Sequence, residues 1–295
     1  MPDNLPRNAR PVGRAFSRAA PTYDDVASLQ QQVRAGLLER LEVLPARPAV
    51  VLDLGAGTGG ATRELKRRYG RATVVGLDLA TGMLRQLAAR SWPWRRLHAV
   101  QADAAALPLA AASVDLVFSN LMLQWCQPPD AALAEIRRVL RPGGLLLLSS
   151  FGPATLQELR RAWAAVDDAP HVNEFTDLLD LGAALQRAGF HEPVLDVDRV
   201  CRFVPDWRTL ALQLRGMGAN HVPGRAPGLA GRQRLQAMQA AYESFRQPQG
   251  LPVSWEIVNA VAWAPAAAVR QEQPGEQVFG LDQLRQRLRT RRQEH

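Results

Sequence analysis

The stretch Val50-Val-Leu-Asp-Leu-Gly-Ala-Gly-Thr-Gly-Gly60 decides the fold of this chain. The apolar run from Ala49 to Leu54 predicts a buried strand. The glycines that follow carry no Cβ, so the backbone can turn sharply there and come close to a ligand. The segment from Ala61 to Arg68 has a helix-forming composition. A strand, a glycine turn and a helix in this order predict a nucleotide-type binding site.

The glycine spacing alone leaves two ligands open. Gly55, Gly57 and Gly60 also satisfy the dinucleotide fingerprint G-x-G-x-x-G. Both interpretations expect a carboxylate about 20 residues further on, at the end of the next strand, where it binds ribose hydroxyls. Asp78 follows the apolar segment Thr73-Val-Val-Gly-Leu77 and fits that role for either ligand. The choice between the ligands depends on the rest of the chain.

Composition limits the kind of protein. The 295 residues are 47% hydrophobic, which is typical of a globular α/β chain. No apolar run reaches the roughly 18 residues of a membrane helix. The polar segment from Met1 to Arg14 lacks the apolar centre of a signal peptide, so a cytoplasmic location is expected. Cys126 and Cys201 form no Cys-x-x-Cys pattern, and we expect neither a structural disulfide nor a metal site.

The net charge of +8 is carried almost entirely by arginine, because Lys66 is the only lysine. Such an excess suits a nucleic acid or an acidic protein partner. Arginine-rich codon usage explains it equally well, so charge alone decides nothing.

Polar residues end the successive strands of a predicted β-α repeat. A third strand from Leu97 to Ala102 precedes Asp103, and a fourth from Val114 to Phe118 precedes Asn120. A helix from about Pro129 to Leu140 and the turn Arg141-Pro-Gly-Gly144 lead into a fifth strand. This order predicts a parallel sheet with right-handed crossovers. Ligands of such sheets bind at the carboxyl ends of the strands, where Asp53, Asp78, Asp103 and Asn120 would gather.

Four motifs together resemble the class I S-adenosylmethionine-dependent methyltransferases. They are Asp53-Leu-Gly-Ala-Gly-Thr-Gly59, Asp78, Ala102-Asp103-Ala104 and Leu140-Arg-Pro-Gly-Gly144. The last of these is not expected in a dinucleotide dehydrogenase. The resemblance implies S-adenosylmethionine as cofactor and a Rossmann-like α/β fold. That fold has a seven-stranded, mostly parallel sheet with helices on both faces and a helical lid built from insertions.

The resemblance also implies the cofactor contacts. The glycine loop would follow the methionine part, Asp78 would hold the ribose hydroxyls, and Asp103 would meet the adenine amino group. Asn120 and Leu121 would lie under the sulfonium. The complete implied set is Asp53, Gly55, Ala56, Gly57, Gly59, Asp78, Leu79, Met83, Asp103, Ala104, Asn120 and Leu121.

Further motifs resemble the malonyl-[acyl-carrier protein] O-methyltransferase family of biotin biosynthesis. They are Phe16-x-Arg-Ala-Ala with Tyr23, Leu123-Gln-Trp125, Phe151-Gly-Pro-x-Thr-Leu-x-Glu-Leu159, His171-Val-Asn-x-Phe175 and Gly189-Phe190. The family reaction methylates the free carboxylate of a malonyl group that phosphopantetheine links to an acidic carrier protein. A carboxylate is already ionised near neutral pH, so no general base is required. Candidates for fixing that carboxylate are Tyr23, Gln124, Trp125, His171 and Asn173.

The predicted domain organisation follows these motifs. Residues 1–13 are expected to be disordered, and residues 14–265 to form the methyltransferase domain with helical insertions near 151–177 and 203–250. Residues 266–295 form a tail rich in arginine and glutamine.

Two other functions stay open. One is a methyltransferase for another small carboxylic acid or a quinone precursor. The other is a non-enzymatic nucleic-acid-binding protein on the same fold. The sequence carries no basic run interleaved with aromatic residues, so neither nucleic acid nor membrane is expected as a partner.

Overall fold

A twisted sheet organises the part of the chain that the computed structural model describes, residues 10–44, 46–91, 96–218 and 231–266. Its order is β3-β2-β1-β4-β5-β7-β6. The pairs from β3 to β5 are parallel, and β7 runs antiparallel to both of its neighbours. This confirms the predicted seven-stranded, mostly parallel sheet. The strands are β1 Val50–Leu54, β2 Thr73–Asp78, β3 His98–Gln101, β4 Val114–Asn120, β5 Leu140–Phe151, β6 His191–Val204 and β7 Leu251–Trp263.

Helices cover both faces of the sheet because buried residues alternate along its central strands. Leu145 and Leu147 pack with α3 and α4 on one face, whereas Leu146 and Leu148 pack with α6 and α8 on the other. The helices are α1 Arg10–Ala19, α2 Tyr23–Val26, α3 Ser28–Val43, α4 Gly60–Arg68, α5 Thr81–Ala89, α6 Asp130–Val139, α7 Gln157–Ala164, α8 Leu178–Arg187, α9 Trp207–Gly216 and α10 Arg232–Glu243, with a short 3-10 helix at Leu123–Trp125.

The insertions after β5 and β6 build a further hydrophobic core. Trp163 of α7, Leu210 of α9 and Tyr242 of α10 pack with Phe151 and Trp255, which lie at adjoining ends of β5 and β7. Helices of both insertions therefore share one core above the sheet. The centre of the second insertion, residues 219–230, lies outside the described residues.

Several boundaries differ from those that the sequence predicts. Residues 10–13 were expected to be disordered, but α1 already begins at Arg10; residues 1–9 lie outside the described ranges. The apolar spacing predicts one helix from about Val26 to Leu44, but α3 begins only at Ser28, and Tyr23–Val26 form the separate short helix α2. The turn Arg141–Gly144 lies within β5 as a register irregularity, with Gly143 at a φ of 74°.

The strands of the second half are longer than their apolar patterns indicate. The sequence predicts β6 at Pro193–Val200 and β7 at Ser254–Trp263, but the two strands pair from His191↔Trp263 to Val204↔Leu251. The sequence also predicts a helix from Phe151 to about Val166, but α7 begins only at Gln157. The intervening turn is held instead by Glu256, whose carboxylate accepts a bond from the Ala154 N–H at 2.9 Å.

The chain divides into two units, residues 1–265 and 266–295. The predicted arginine- and glutamine-rich tail lies outside the described residues, apart from residue 266. Within the described ranges, no helix is both long and apolar enough to cross a membrane. The two cysteines are free thiols.

Candidate cofactor and acceptor site

A cavity of about 720 Å³ lies at the carboxyl ends of β1, β2 and β4. Helix α1 and Tyr23 of α2 form part of its wall. The cavity gathers most of the predicted site residues, as expected for polar groups that end neighbouring parallel strands. They are Tyr23, Gly55, Gly57, Asp78, Leu79, Met83, Asp103, Ala104, Asn120, Leu121, Gln124, Trp125 and Asn173.

The glycine loop has three residues with positive φ, at Gly55, Gly57 and Gly59. A Cβ on Gly57 would meet no atom within 4 Å, so the loop faces open space at this position. Gly59 does not line the cavity: it is the N-cap residue of α4, and a Cβ there would lie 2.8 Å from Cγ of Leu87. Gly57 is therefore placed for close approach to a ligand, whereas Gly59 serves the packing of the loop.

The Asp78 carboxylate is fixed at the edge of the cavity. Its Oδ2 accepts the Gly57 N–H and its Oδ1 accepts the Ala80 N–H, each at 2.8 Å. Burial raises the pKa of Asp78 despite these backbone bonds. Each oxygen keeps a further lone pair for a ligand hydroxyl. The geometry suits an acceptor for two ribose hydroxyls.

Asp53 lies below the loop rather than in the large cavity. Its side chain is 1% exposed, and it accepts a bond from Thr62 Oγ1 at 2.6 Å. Burial, reinforced by the negative charge of Asp78, raises the pKa of Asp53 to about 7. Asp53 and Ala56 border a second cavity of about 50 Å³. Of the predicted cofactor contacts, these two line the smaller cavity but not the large one, whereas Gly55, Gly57 and Asn120 line both.

The smaller cavity holds two polar groups that the sequence does not single out. Gln30 Oε1 and Arg34 Nε are buried and have no hydrogen-bond partner in the described part of the chain. The guanidinium of Arg34 pairs with Glu64 at 3.2 Å and occupies the place that a Cβ on Gly60 would take. Both residues lie on α3, where the apolar spacing indicates only a packed helix. No motif could have found them.

The residues after β3 and β4 are held by local bonds. Asp103 Oδ1 accepts the Ala105 N–H at 2.9 Å. Asn120 donates to the Gln30 carbonyl and accepts from Ser149 Oγ, both at 3.1 Å, so its amide ties β4 to α3 and β5. Leu121 has a φ of 51°, and this left-handed residue turns the chain away from β4 at the cavity wall.

Aromatic rings form another part of the wall. Phe16 meets Trp125 edge to face with ring centroids 5.2 Å apart, and its ring lies 6.5 Å from that of Tyr23. Burial, with Asp78 and Asp24 nearby, raises the pKa of Tyr23, so its hydroxyl stays protonated. Gln124 lines the cavity, but its Nε2 donates to the Leu121 carbonyl at 2.6 Å. Phe16 belongs to this wall although it was not among the predicted site residues.

Asn173 and His171 have separate environments. Asn173 lines the large cavity, and its Oδ1 is buried with no partner among the described residues. The His171 ring stacks on Trp163 with centroids 3.6 Å apart, and its Nε2 lies 2.8 Å from Asp167 Oδ1. His171 is absent from the described cavity lining. It is therefore placed to support the first insertion rather than to touch an acceptor.

Comparisons with known proteins agree with the fold. Residues 52–148 match the family described as a methyltransferase domain. The solved structure of the [4+2]-cyclase SpnF shares the fold, with a TM-score of 0.58 and 20% identity, over 89% of this chain and 98% of that one. Fold and site together define a class I S-adenosylmethionine-dependent methyltransferase.

Curated relatives give the narrower family. The malonyl-[acyl-carrier protein] O-methyltransferase of Methylovorus sp. is 48% identical over 265 residues, which are 88% of this chain and 90% of the relative. The protein of the same name from Laribacter hongkongensis is 46% identical over 270 residues, or 88% and 91% of the two chains. The chain belongs to the malonyl-[acyl-carrier protein] O-methyltransferase family.

Proposed function

We propose that this protein transfers the methyl group of S-adenosylmethionine to the free carboxylate of malonyl-[acyl-carrier protein], forming the methyl ester that enters the pimeloyl stage of biotin synthesis. The observation that carries the proposal is the 48% identity to a relative so named, over 88% of the chain. The cytoplasmic location expected from the sequence is part of this proposal.

The two cavities fit the parts of the cofactor. Asp78 would accept the ribose hydroxyls and Asp103 the adenine amino group, while the open space beside Gly57 leaves room for the methionine part. In the smaller cavity, Gln30 Oε1 would accept from an ammonium group and Arg34 would donate to a carboxylate. When bound, S-adenosylmethionine supplies an electrophilic methyl group on a positively charged sulfur.

The acceptor side offers neutral donors for the malonyl carboxylate. Among the described residues that line the large cavity, the charged ones are Asp78 and Asp103. The protonated Tyr23 hydroxyl and the Asn173 amide would therefore orient the carboxylate, with Trp125 and Gln124 beside them. Neutral donors fix an anion without the tight ion pair that would reduce its reactivity.

The aromatic wall supports the same reaction through its low polarity. Methyl transfer consumes one cation and one anion and leaves two neutral groups. Water stabilises the separated charges of the reactants, so a site that excludes water lowers the barrier. Phe16 and Trp125 provide such an apolar surface beside Tyr23. The chain then contributes positioning and desolvation, and no base.

Mass spectrometry of malonyl-carrier protein, incubated with the enzyme and S-adenosylmethionine, tests the proposal. We expect the carrier to gain the mass of one methylene group, and the gain to leave the carrier with the acyl group when the thioester is cleaved. Succinyl-carrier protein, free malonate and a quinone precursor serve as comparison acceptors. Faster methylation of one of these than of malonyl-carrier protein would support the alternative substrate class.

A further inference from the structure

Three residues from separate elements meet beside the glycine loop. The Asp24 carboxylate of α2 accepts a bond from Thr58 Oγ1 at 2.7 Å and from Arg90 Nη2 at 2.5 Å. Arg90, which follows α5, also donates through Nη1 to the Thr58 carbonyl at 3.0 Å. These contacts form the Asp24–Thr58–Arg90 cluster, in which each member touches both of the others.

The cluster lies next to one residue proposed to contact the methyl acceptor and one proposed to contact the cofactor. Tyr23 immediately precedes Asp24 and borders both cavities. Gly57, with open space in front of it, immediately precedes Thr58. A shift of the cluster would therefore move Tyr23, the proposed hydrogen-bond donor to the malonyl carboxylate, together with the glycine loop.

The cluster also holds the N-terminal helices against the rest of the domain. Pro11, Val12 and Phe16 of α1 line the large cavity beside the cofactor-contact residues. Within residues 11–26, Asp24–Arg90 is the one ion pair to other parts of the described chain. On α1 itself, Ser17 Oγ accepts the Gly82 N–H at 3.2 Å. The Asp24–Arg90 pair therefore supplies a charged contact between this wall and the rest of the domain.

We propose that the Asp24–Thr58–Arg90 cluster is a latch that closes α1 and α2 over bound S-adenosylmethionine and positions Tyr23 for the acceptor. The cofactor then enters before the latch closes, and the acceptor site is complete only afterwards. Binding follows a fixed order, with S-adenosylhomocysteine leaving last, after the latch reopens. This inference rests on the proposed placement of the cofactor.

The rate of S-adenosylhomocysteine release tests the latch. Wild-type protein, Asp24→Ala, Arg90→Met and the double variant are loaded with the labelled ligand, and its dissociation is followed after a chase with unlabelled ligand. We expect each single variant to release the ligand about fivefold faster or more. The double variant should release the ligand no faster than Asp24→Ala, because that change alone already removes the bonds of α2 to both Thr58 and Arg90.

The melting temperature of the ligand-free variants distinguishes a role in ligand release from a contribution to folding stability. The side chains of Asp24 and Arg90 are 42% and 30% exposed, and ion pairs of this kind contribute little to folding. The melting temperature without ligand should therefore stay close to that of the wild type while the release rate rises. Glu243→Gln is the matched control, because the Glu243–Arg246 pair is similarly exposed but lies on and after α10. It should change neither quantity.

The outcomes are distinct. Wild-type release rates in folded single variants, or fully additive effects in the double variant, would overturn the latch while the proposed function stands. Failure of the wild-type protein to bind S-adenosylhomocysteine would overturn the proposed function and the latch with it. If Asp24→Ala does not fold, Arg90→Lys gives the same comparison, since a lysine cannot bond Asp24 and the Thr58 carbonyl as a fork.

Discussion

At the scale of single residues, the two carboxylates of the loop region differ in what they face. Asp78 borders the cavity and anchors Gly57, whereas Asp53 is enclosed with Thr62. Because both aspartates lie near the carboxyl ends of predicted strands, both were expected to lie near the ligand site. The sequence could not show that the two carboxylates have different environments, because the environment depends on which face of the loop each side chain contacts. Gln30 and Arg34 were not predicted for a related reason. Helical spacing identifies the apolar positions that face a core, but it does not indicate which polar residues face a cavity.

Asp78→Ala should weaken S-adenosylhomocysteine binding. The change removes a charged acceptor, and hydrogen bonds to charged groups are worth about 1.5–3 kcal/mol, which corresponds to roughly 10- to 150-fold in affinity. Calorimetric titration measures the dissociation constant, with circular dichroism to check that the variant is folded. Wild-type affinity in a folded variant would rule out the ribose assignment. A preference for NAD would point back to a dinucleotide enzyme.

Asp53 should make folding stability depend on pH in the ligand-free protein. Its folded pKa of about 7 lies above the unfolded value near 3.9, so the folded state holds a proton that the unfolded chain releases. The contribution of Asp53 to stability is therefore complete below about pH 4 and is lost as pH rises to about 7. Relative to Asp53→Asn, wild-type protein should lose at least about 1.4 kcal/mol across this window, one pKa unit being worth that amount.

Urea denaturation at several pH values measures this difference. The amide oxygen that Asp53→Asn introduces can still accept the bond from Thr62 Oγ1, so loss of that bond does not confound the comparison. Parallel pH profiles for the two proteins would show that Asp53 is ionised throughout and that burial does not control it.

At the scale of elements, the β-α repeat of the first half followed closely from its sequence. Strands β1, β2 and β4 are mostly buried, so their apolar runs and terminal polar residues indicate both their bounds and their direction. The second half was less predictable. β6 is largely exposed and continues by pairing with β7, so its length reflects a long-range partner rather than its own pattern. The segment from 165 to 177 has no helix or strand, and no periodicity predicts where His171 and Asn173 point.

That segment permits a paired test of the acceptor site. Asn173→Ala removes a polar group from the cavity wall and should raise the KM for malonyl-carrier protein about tenfold, the equivalent of about 1.4 kcal/mol. His171→Ala removes the stack on Trp163 and should instead lower the melting temperature, with KM almost unchanged. Steady-state kinetics and thermal melts of both variants provide the measurement. Equal effects on KM would place His171 in the acceptor site after all.

At the scale of the whole molecule, the described residues pair part of the arginine excess within the fold and leave part of it on the surface. Exposed arginines of the inserted helices include Arg161 on α7 and Arg215 on α9, and neither forms an ion pair with another described residue. Arg160 differs, because it donates to the carbonyls of Thr155 and Asn173. Arg225, in the centre of the second insertion, lies outside the described ranges. An acidic carrier protein would find unpaired positive charge on the inserted helices.

Carrier turnover should therefore depend on salt. Steering by opposite charges acts mainly on the association rate, and ions screen it beyond about 8–10 Å at ionic strengths of 0.1–0.15 M. At low substrate, kcat/KM for malonyl-carrier protein should fall as salt rises, whereas a small malonyl thioester should respond much less.

Arg161→Glu and Arg215→Glu should raise the KM for the carrier and leave S-adenosylhomocysteine affinity intact. Arg187→Gln is the control, because Arg187 already pairs with Asp130 on the surface. Equal salt responses of the two substrates, or unchanged carrier turnover in the reversed variants, would mean that the arginines reflect composition and that the carrier is recognised through its malonyl arm alone.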